Sequence, residues 1–494
     1  MLRRLSGRDR FRSLGAADRR ALVALAVLVT AGVALRVVFM LAYRPAFLGY
    51  PDTVDYIDGA RHALFGDPLR VAGYPVFLRV AHAIDSNLLS TIVVQHALGV
   101  ATGLLLYATV LRVGGPRWLA LIPATFVLLG GDQPFLEHSL LSESLYTFVT
   151  AAGLYAAARC LDDRAVPWAA AAGALMGLAA TVRVAGLALL PLLALWLVLV
   201  RDRPLRARAL RAAVASAAGA AILFGYLIAA HDQTGQWSLA RHGAYHFYGR
   251  VAPFADCSNF TPPAGTRALC EATPKSTRPG PLFYIFDVHS PAVTLFGQPP
   301  FGHPTQAAMG RLRAFSGAVV QHQPGDYLEA VGRDLWRYVW PSAFRRPNSS
   351  PGPADYARGF LMDRDRTFVA LQKVGSYWDR RGVVVNNGAL HALRDYERVA
   401  RVEGPVMVLL ILLMVAAPFA CAGRLRRGAW LLTGTTIALM VVPVAAIDYD
   451  GRFAVPVYGP LAAAAALGGL GLARRALSRR PGPAPATPPC RAPG

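Results

Sequence analysis

Residues 21–43, ALVALAVLVTAGVALRVVFMLAY, form a long apolar run whose single charge is Arg36 and are followed at residues 49–66 by GYPDTVDYIDGARHALFG. The first stretch is long enough to cross a hydrocarbon layer of roughly 30 Å. The second places acids at Asp52, Asp55 and Asp58, every third residue, immediately beyond the exit. A basic stretch, MLRRLSGRDRFRSLGAADRR, precedes the apolar run. A secretory leader has a shorter apolar core and a small-residue cleavage site, so residues 21–43 read as a retained first span.

The same pattern continues through the chain. Of its 494 residues 54% are hydrophobic and only 16% charged, with a mean hydropathy of +0.37; these values exclude an ordinary soluble domain. Apolar segments occur at 21–43, 89–111, 118–131, 140–159, 167–182, 184–200, 209–230, 404–422, 428–447 and 453–473. Ten spans place both termini in the cytoplasm and leave inside the short loops RVGGPR, ARCLDDR, RDRPLRARALR and GRLRR and the tail ARRALSRR, each bearing arginine, as the positive-inside rule requires. Merging the fifth and sixth spans would put RDRPLRARALR outside, so ten is preferred.

The formal charge of +22 does not indicate a nucleic-acid partner. Lys275 and Lys373 are the only lysines, the arginines follow the membrane topology, and no recognition module accompanies them. The expected organisation is a basic N-terminus (1–20), a membrane module (21–230) with an outer loop at 44–88, an extracytoplasmic segment (231–403), a second membrane module (404–473) and a Pro-rich, disordered cytoplasmic tail (474–494). Cys257 and Cys270, in DCSNFTPPAGTRALCE, fall outside the cytoplasm, where disulfides persist, and close a loop of favourable length. They are expected to pair. Cys160, Cys421 and Cys490 lie on the cytoplasmic side, where nothing asks them to. The sequons at Asn259 and Asn348 are too short a pattern to carry weight.

Charges in or beside a span are costly and usually face a cavity or a partner. Arg36, Glu143, Arg183, Asp448, Asp450 and Arg452 all fall toward the outer face, as does the acidic stretch. Pro51 suits a first helical position and Gly66 a stop, which predicts a surface helix over 51–65. Its acids share one face, and Tyr56, Ala60, Ala63 and Leu64 occupy another. PLRVAGYPVFLRVAHAI supplies a second short amphipathic element, with Arg70 and Arg79 nearby. Acids facing water, with Asp52 favouring the helix N-terminus, would explain the stretch equally well without any chemistry.

LRVVFMLAY, YPDTVDYIDGA with GYPVFL, SLLSESLYTFV, GLAATVRVAGLALLPLL and YDGRFAVPVYGPL occur in one order. That ordered set resembles the C-type glycosyltransferase superfamily, in its protein mannosyltransferase and aminoarabinose transferase branch. It spans the first 200 residues and about the last 50. The resemblance implies an all-α polytopic bundle of about ten transmembrane helices in the cell membrane. It also implies transfer of a sugar from a polyprenyl-phosphate donor to a cell-envelope glycan, lipid or protein on the outer face. It further implies that an acid of the first outer loop acts as general base. The family usually carries an adjacent acidic pair followed by tyrosine. Here Asp52 is followed by Thr53, and Asp55 by Tyr56, so Asp52 is the first candidate and Asp55 the second. Arg183, Arg452 and Arg70 are the candidates for binding the lipid phosphate, against the alternative that they reach for lipid headgroups. Glu143 is read as neutralising an arginine, and Tyr56 as supporting the site.

No metal or other cofactor is expected. His138, His242, His246, His289, His303 and His322 are scattered without ligand spacing; the acids are compatible with a divalent ion but nothing calls for one. The aromatic clusters RHGAYHFYGR, PLFYIFDV and DLWRYVWP suit the membrane interface more than sugar stacking. GDYLEAVGRDLWRYVW is expected to lie on the bilayer, and the long outer segment to cap the site. Two other classes compete. A lipid-linked glycan flippase should show a polar path and internal symmetry, and neither is visible. A polymerase or ligase of the O-antigen type relies on outer-loop arginines more than on an early acid, so the Asp-rich stretch favours the transferase.

Overall fold

A computed structural model describes residues 15–162, 165–296, 304–350, 362–375, 377–378 and 382–478. Residues 1–14, the tail from 479 with Cys490, and His303 lie outside the described residues. Helices occupy each of the ten apolar segments: Ala16–Ala42, Leu88–Arg112, Arg117–Leu128, Glu143–Arg159, Ala165–Val182, Leu189–Leu199 behind a short 3-10 turn, Leu205–Thr234, Pro405–Ala420, Gly423–Ala446 and Val455–Ser478. Six are long and apolar enough to cross a membrane by themselves, and a seventh follows if the bent pair Asn387–Ala400 and Pro405–Ala420 counts as one span. The rest are shorter than the roughly 20 residues a perpendicular span requires.

One short helix has a visible cause. Arg117–Leu128 stops three residues before the apolar run does, because the Arg36 guanidinium takes its terminal carbonyls. Nη1 donates to Leu128 at 2.9 Å and Nη2 to Val127 at 3.4 Å. The same guanidinium grips Glu137 with two 2.7 Å hydrogen bonds. His96 Nδ1 lies 2.9 Å from the Glu137 carboxylate, His96 Nε2 3.0 Å from His138 Nδ1, and His138 Nε2 donates to the Tyr43 carbonyl at 2.7 Å. The short helix Asp132–Glu137 that carries the glutamate is buried throughout. His138 is therefore a core residue of a polar layer inside the bundle.

Loops at the two ends of the bundle segregate. At one end Arg424 bonds Asp162 at 2.5 Å and the Arg112 carbonyl at 2.6 Å. Arg211 there grips Asp202 at 2.7 Å and the Cys160 carbonyl at 2.8 Å, and Arg117 meets Asp18 at 2.9 Å. Cys160 and Cys421 are free and buried. At the opposite end the exits of Ala16–Ala42 and Ala165–Val182 meet the entries of Glu143–Arg159 and Val455–Ser478. Gly73 lets the first loop settle there: a Cβ would stand 2.4 Å from the Thr181 carbonyl oxygen. Ala165–Val182 packs as closely on Leu205–Thr234, where Gly173 and Gly177 oppose Ala215 and Gly219, the small-residue contact typical of helices in lipid.

The first-loop helix runs Pro51–Arg61, shorter than the expected 51–65. Arg79 ends it, donating to the carbonyls of Ala60 at 2.7 Å, Gly59 at 3.4 Å and His62, which satisfies the last turn. The second amphipathic element is the helix Gly73–Ile84.

Within the long segment, Tyr245, Tyr248, Leu312 and Phe315 centre a second apolar core, and Cys257 and Cys270 form the disulfide. The helix Pro324–Trp336 exposes Leu328 and Trp336, as an interfacial helix would. Further on, the chain returns to the first loop. Arg364–Val374 packs on Pro51–Arg61, and Val384–Val385 pairs antiparallel with Tyr43–Arg44. This two-residue pairing and an isolated parallel bridge between Phe47 and Ser139 are the additions to the all-α expectation among the described residues.

Glu137 is fully buried and Arg36 nearly so. Arg36→Leu strands a buried carboxylate and is expected to cost about 3–5 kcal/mol, read as a lowered thermal midpoint in detergent. Arg36→Lys, which keeps the charge, is expected to lose less.

Candidate active site

Asp52 occupies the first turn of Pro51–Arg61, and its carboxylate is held from both sides. Arg70 Nη2 donates to Oδ1 and Arg452 Nη1 to Oδ2, each at 2.6 Å. Arg70 comes from the loop before Gly73. Its Nη1 also reaches Asp55 at 2.5 Å and Asp67 at 3.2 Å.

Arg452 lies between Gly423–Ala446 and Val455–Ser478, where its backbone is shaped by Asp450. That carboxylate accepts from the Arg452 amide at 3.1 Å, the Arg452 Nε at 3.0 Å and the Tyr50 hydroxyl at 3.0 Å. The Arg452 guanidinium stacks over Tyr50, 4.4 Å from the ring centre. Its Nη1 also lies 3.5 Å from Glu143 Oε1, which in turn accepts from Arg183. Arg183 adds a 3.2 Å bond to Ser142 Oγ and lies 5.1 Å over the Phe453 ring. Tyr56 donates to the same Ser142 hydroxyl at 3.0 Å.

All seven residues expected at the site (Asp52, Asp55, Tyr56, Arg70, Glu143, Arg183 and Arg452) therefore stand in one connected cluster. Glu143 neutralises two arginines rather than one. Asp67, Tyr50, Ser142 and Asp450 complete the cluster; the sequence noted only Asp450, for its position. No periodicity marks the other three, since their roles come from loop geometry. Two buried polar atoms in the cluster, Arg70 Nε and Glu143 Oε2, have no hydrogen-bond partner among the described residues.

The acids differ electrostatically. Burial alone would raise the pKa of Asp52, but the Arg452 and Arg70 guanidinium groups outweigh it and hold the carboxyl well below the usual range. For Asp55 burial wins over the attraction of Arg70, with Asp67 and Asp52 adding repulsion, and its pKa rises to about 6. Burial and the nearby Asp52 charge push the Tyr56 hydroxyl up to about 12. Asp52 is thus an ionised, latched carboxylate, and Asp55 one that takes up a proton just below neutrality.

The long segment closes over this cluster. Arg241 and His242 donate their backbone amides to the Pro68 carbonyl at 2.8 and 3.0 Å. In the helix Gly243–Val251 that follows, burial holds His246 neutral, its pKa lowered to about 3, and the His246 ring feels the charges of Arg70 and Asp52. These histidines are part of the site's cover rather than surface residues. Among the described residues no group of three His, Cys, Asp or Glu side chains converges on a possible metal position.

Neither protein-family models nor curated proteins return a match to the chain. Solved structures similar in outline include the Archaeoglobus fulgidus oligosaccharyltransferase, at a TM-score of 0.45 and 13% identity, covering 93% of this chain and 50% of that one. They also include the S. cerevisiae protein O-mannosyltransferase Pmt1-Pmt2 complex, at 0.34 and 16% over 49% of this chain and 38% of that one. ArnT from Cupriavidus metallidurans matches at 0.33 and 15%, over 92% of this chain and 78% of that one. These neighbours are C-type glycosyltransferases, the superfamily the ordered motifs resemble. The chain spans about half the length of the archaeal enzyme. At these scores the likeness is one of outline, and activity has to be read from the site.

As pH falls through about 6, Asp55 is expected to gain its proton and loosen from Arg70, while Asp52 stays ionised. Infrared difference spectra of aspartate-labelled protein check this. Asp55→Asn should remove a carboxyl band that grows in near pH 6, and Asp52→Asn should remove none there.

Proposed function

We propose that the chain is an integral membrane glycosyltransferase that moves a sugar from a polyprenyl-phosphate donor to an acceptor hydroxyl at the extracytoplasmic face. The observation that carries this reading is the Asp52 carboxylate latched between Arg70 and Arg452, at the end of the bundle away from the arginine-bearing short loops. The positive-inside rule makes that end the outer one. The ordered motifs, which include both halves of the latch, support the same reading, as do ten helical segments alternating between the two ends. On this reading the ten segments all span or enter the plasma membrane, and both termini are cytoplasmic.

The chemistry follows from which groups are free to exchange. An arriving lipid phosphate offers guanidinium groups a bidentate partner of the kind they already have in carboxylates. The cluster holds more carboxylates than arginines, so the phosphate enters by exchange. Arg70 and Arg452 turn to it, with the unsatisfied Arg70 Nε as an additional donor, and Arg183 adds charge from the side. Asp52 then loses the partners that depress its pKa and gains a negative neighbour, and both changes make it a better base. It takes the proton of the acceptor hydroxyl as the oxygen forms its bond to the sugar's anomeric carbon. The bond from that carbon to the phosphate oxygen breaks, and its electron pair leaves on the polyprenyl phosphate, stabilised by the arginines. Glu143 Oε2, a buried acceptor without a donor, suits a hydroxyl of the donor sugar. In this scheme Asp52 is the base, and Asp55 tunes Arg70.

The test is mass spectrometry of polyprenyl-phosphate sugars in membranes of the source cell, with a deletion strain complemented by wild type or by Asp52→Asn at matched protein levels. A positioned base contributes about 10²–10⁴ in rate, so the asparagine variant is expected to accumulate one donor as the deletion does, which identifies the sugar as well. A variant indistinguishable from wild type would overturn the assignment.

A further inference from the structure

Beside the latch, along the first-loop helix, lies a cleft of about 570 Å³. Charged or titratable side chains line most of it: Asp55, Asp58, Arg61, His62, Asp67 and Lys373. The remaining lining is Gly59, Ala63, Gly66, Pro68 and Leu69. Lys373 comes from Arg364–Val374 in the long segment, 315 residues from its ion-pair partner Asp58. The lining therefore belongs to the first loop except for Lys373, which comes from the part of the chain that the family resemblance leaves out.

The geometry points to this cleft as the subsite for the acceptor, with a neutral polyhydroxylated carbohydrate end as its ligand. This inference rests on the transferase reading above and specifies what the transferase acts on. Three observations carry it. The volume lies within the roughly 300–1,000 Å³ of small-molecule sites. The cleft is one guanidinium away from the base, since Arg70 holds cleft-lining Asp55 through Nη1 and Asp52 through Nη2. Its lining also carries both signs of charge in near balance: Asp55, Asp58 and Asp67 face Arg61 and Lys373.

A nearly balanced lining of carboxylates and cations neither strongly attracts a net charge nor offers an apolar slot for a lipid chain or a large side chain. It does present acceptors and donors in alternation, and vicinal hydroxyl groups, each both donor and acceptor, match that pattern. An acceptor sugar seated there brings a hydroxyl toward Asp52 as Arg70 swings to the donor phosphate. Lys373 and Asp58 act as specificity-determining residues, which explains why the long segment returns to the first loop.

The experiment uses the full chain in lipid nanodiscs and saturation-transfer NMR. The probes are methyl glucoside, its uronic acid counterpart and its 2-amino counterpart, which share a ring and differ in charge. The neutral glycoside is expected to give the strongest transfer. Asp58→Asn and Lys373→Met each remove a charge-assisted contact of about 1.5–3 kcal/mol, so about tenfold or greater weakening is expected. The swapped pair Asp58→Lys with Lys373→Asp restores the bridge; it should recover thermal stability without recovering full glycoside binding, which separates ligand recognition from a structural role. Preference for a charged probe, equal binding by wild type and both single variants, or no transfer to any probe overturns the inference. If the cleft fails and Asp52→Asn cells still accumulate a donor, the transferase reading stands without this subsite. If glycosides bind and no donor accumulates, the subsite stands and the transferase reading falls.

Discussion

The contact between Asp52 and Arg452 closes the structure on itself. It joins residues 400 positions apart, one just beyond the first helix and the other just before the last. Glu143 and Arg183 attach the starts and ends of two further helices to it. Removing charges from water is expensive, and a buried pair recovers that cost only when every member is well paired. Here one carboxylate has two guanidinium partners and each guanidinium has several acids, so the cluster is stable as a network and costly to break at one point. A second anion of similar shape can replace the Asp52 carboxylate as the arginines' partner, and the carboxylate so released is the one that then takes a proton. That property makes the latch exchangeable as well as strong.

Two polar layers divide the labour. The Arg36–Glu137–His96–His138 chain lies deeper and is closed on protein groups at both ends: Arg36 also binds the carbonyls at the end of Arg117–Leu128, and His138 ends on the Tyr43 carbonyl. Among the described residues the outer cluster combines unsatisfied polar atoms at Arg70 and Glu143 with an adjoining cleft. Satisfied polar groups hold a bundle in register; unsatisfied ones beside a cavity mark where something else binds.

Much of this was legible in the sequence, and what was not has physical reasons. Hydropathy located ten helical segments and arginine placement sorted their loops, because burial in lipid leaves a compositional record. The three-residue spacing of Asp52, Asp55 and Asp58 did predict a shared side. Three residues advance a helix by about 300°, so successive acids step back about 60°. Asp52 thereby faces the arginines, Asp55 the junction and Asp58 the lysine of the long segment. Spacing could not say which acid lies deepest. It also could not foresee that Arg79 would end that helix at Arg61, or that Arg36 would cut Arg117–Leu128 short, since both depend on a side chain from elsewhere taking carbonyls. Least legible was the return of Arg364–Val374 and Val384–Val385 to the first loop. Those segments have no strong period, and their key residue, Lys373, stood out only as one of two lysines.

Direct binding of a polyprenyl phosphate decides whether the latch is a phosphate site. Native mass spectrometry of the purified full chain with undecaprenyl phosphate, wild type against Arg452→Gln at equal lipid, reads it without any acceptor or sugar being known. The account predicts that wild type retains one lipid phosphate through detergent removal and that Arg452→Gln loses it, while both bind neutral phospholipid alike. Equal retention by the two proteins would mean that Arg452 serves only to hold Asp52, and the exchange on which the proposed chemistry depends does not occur.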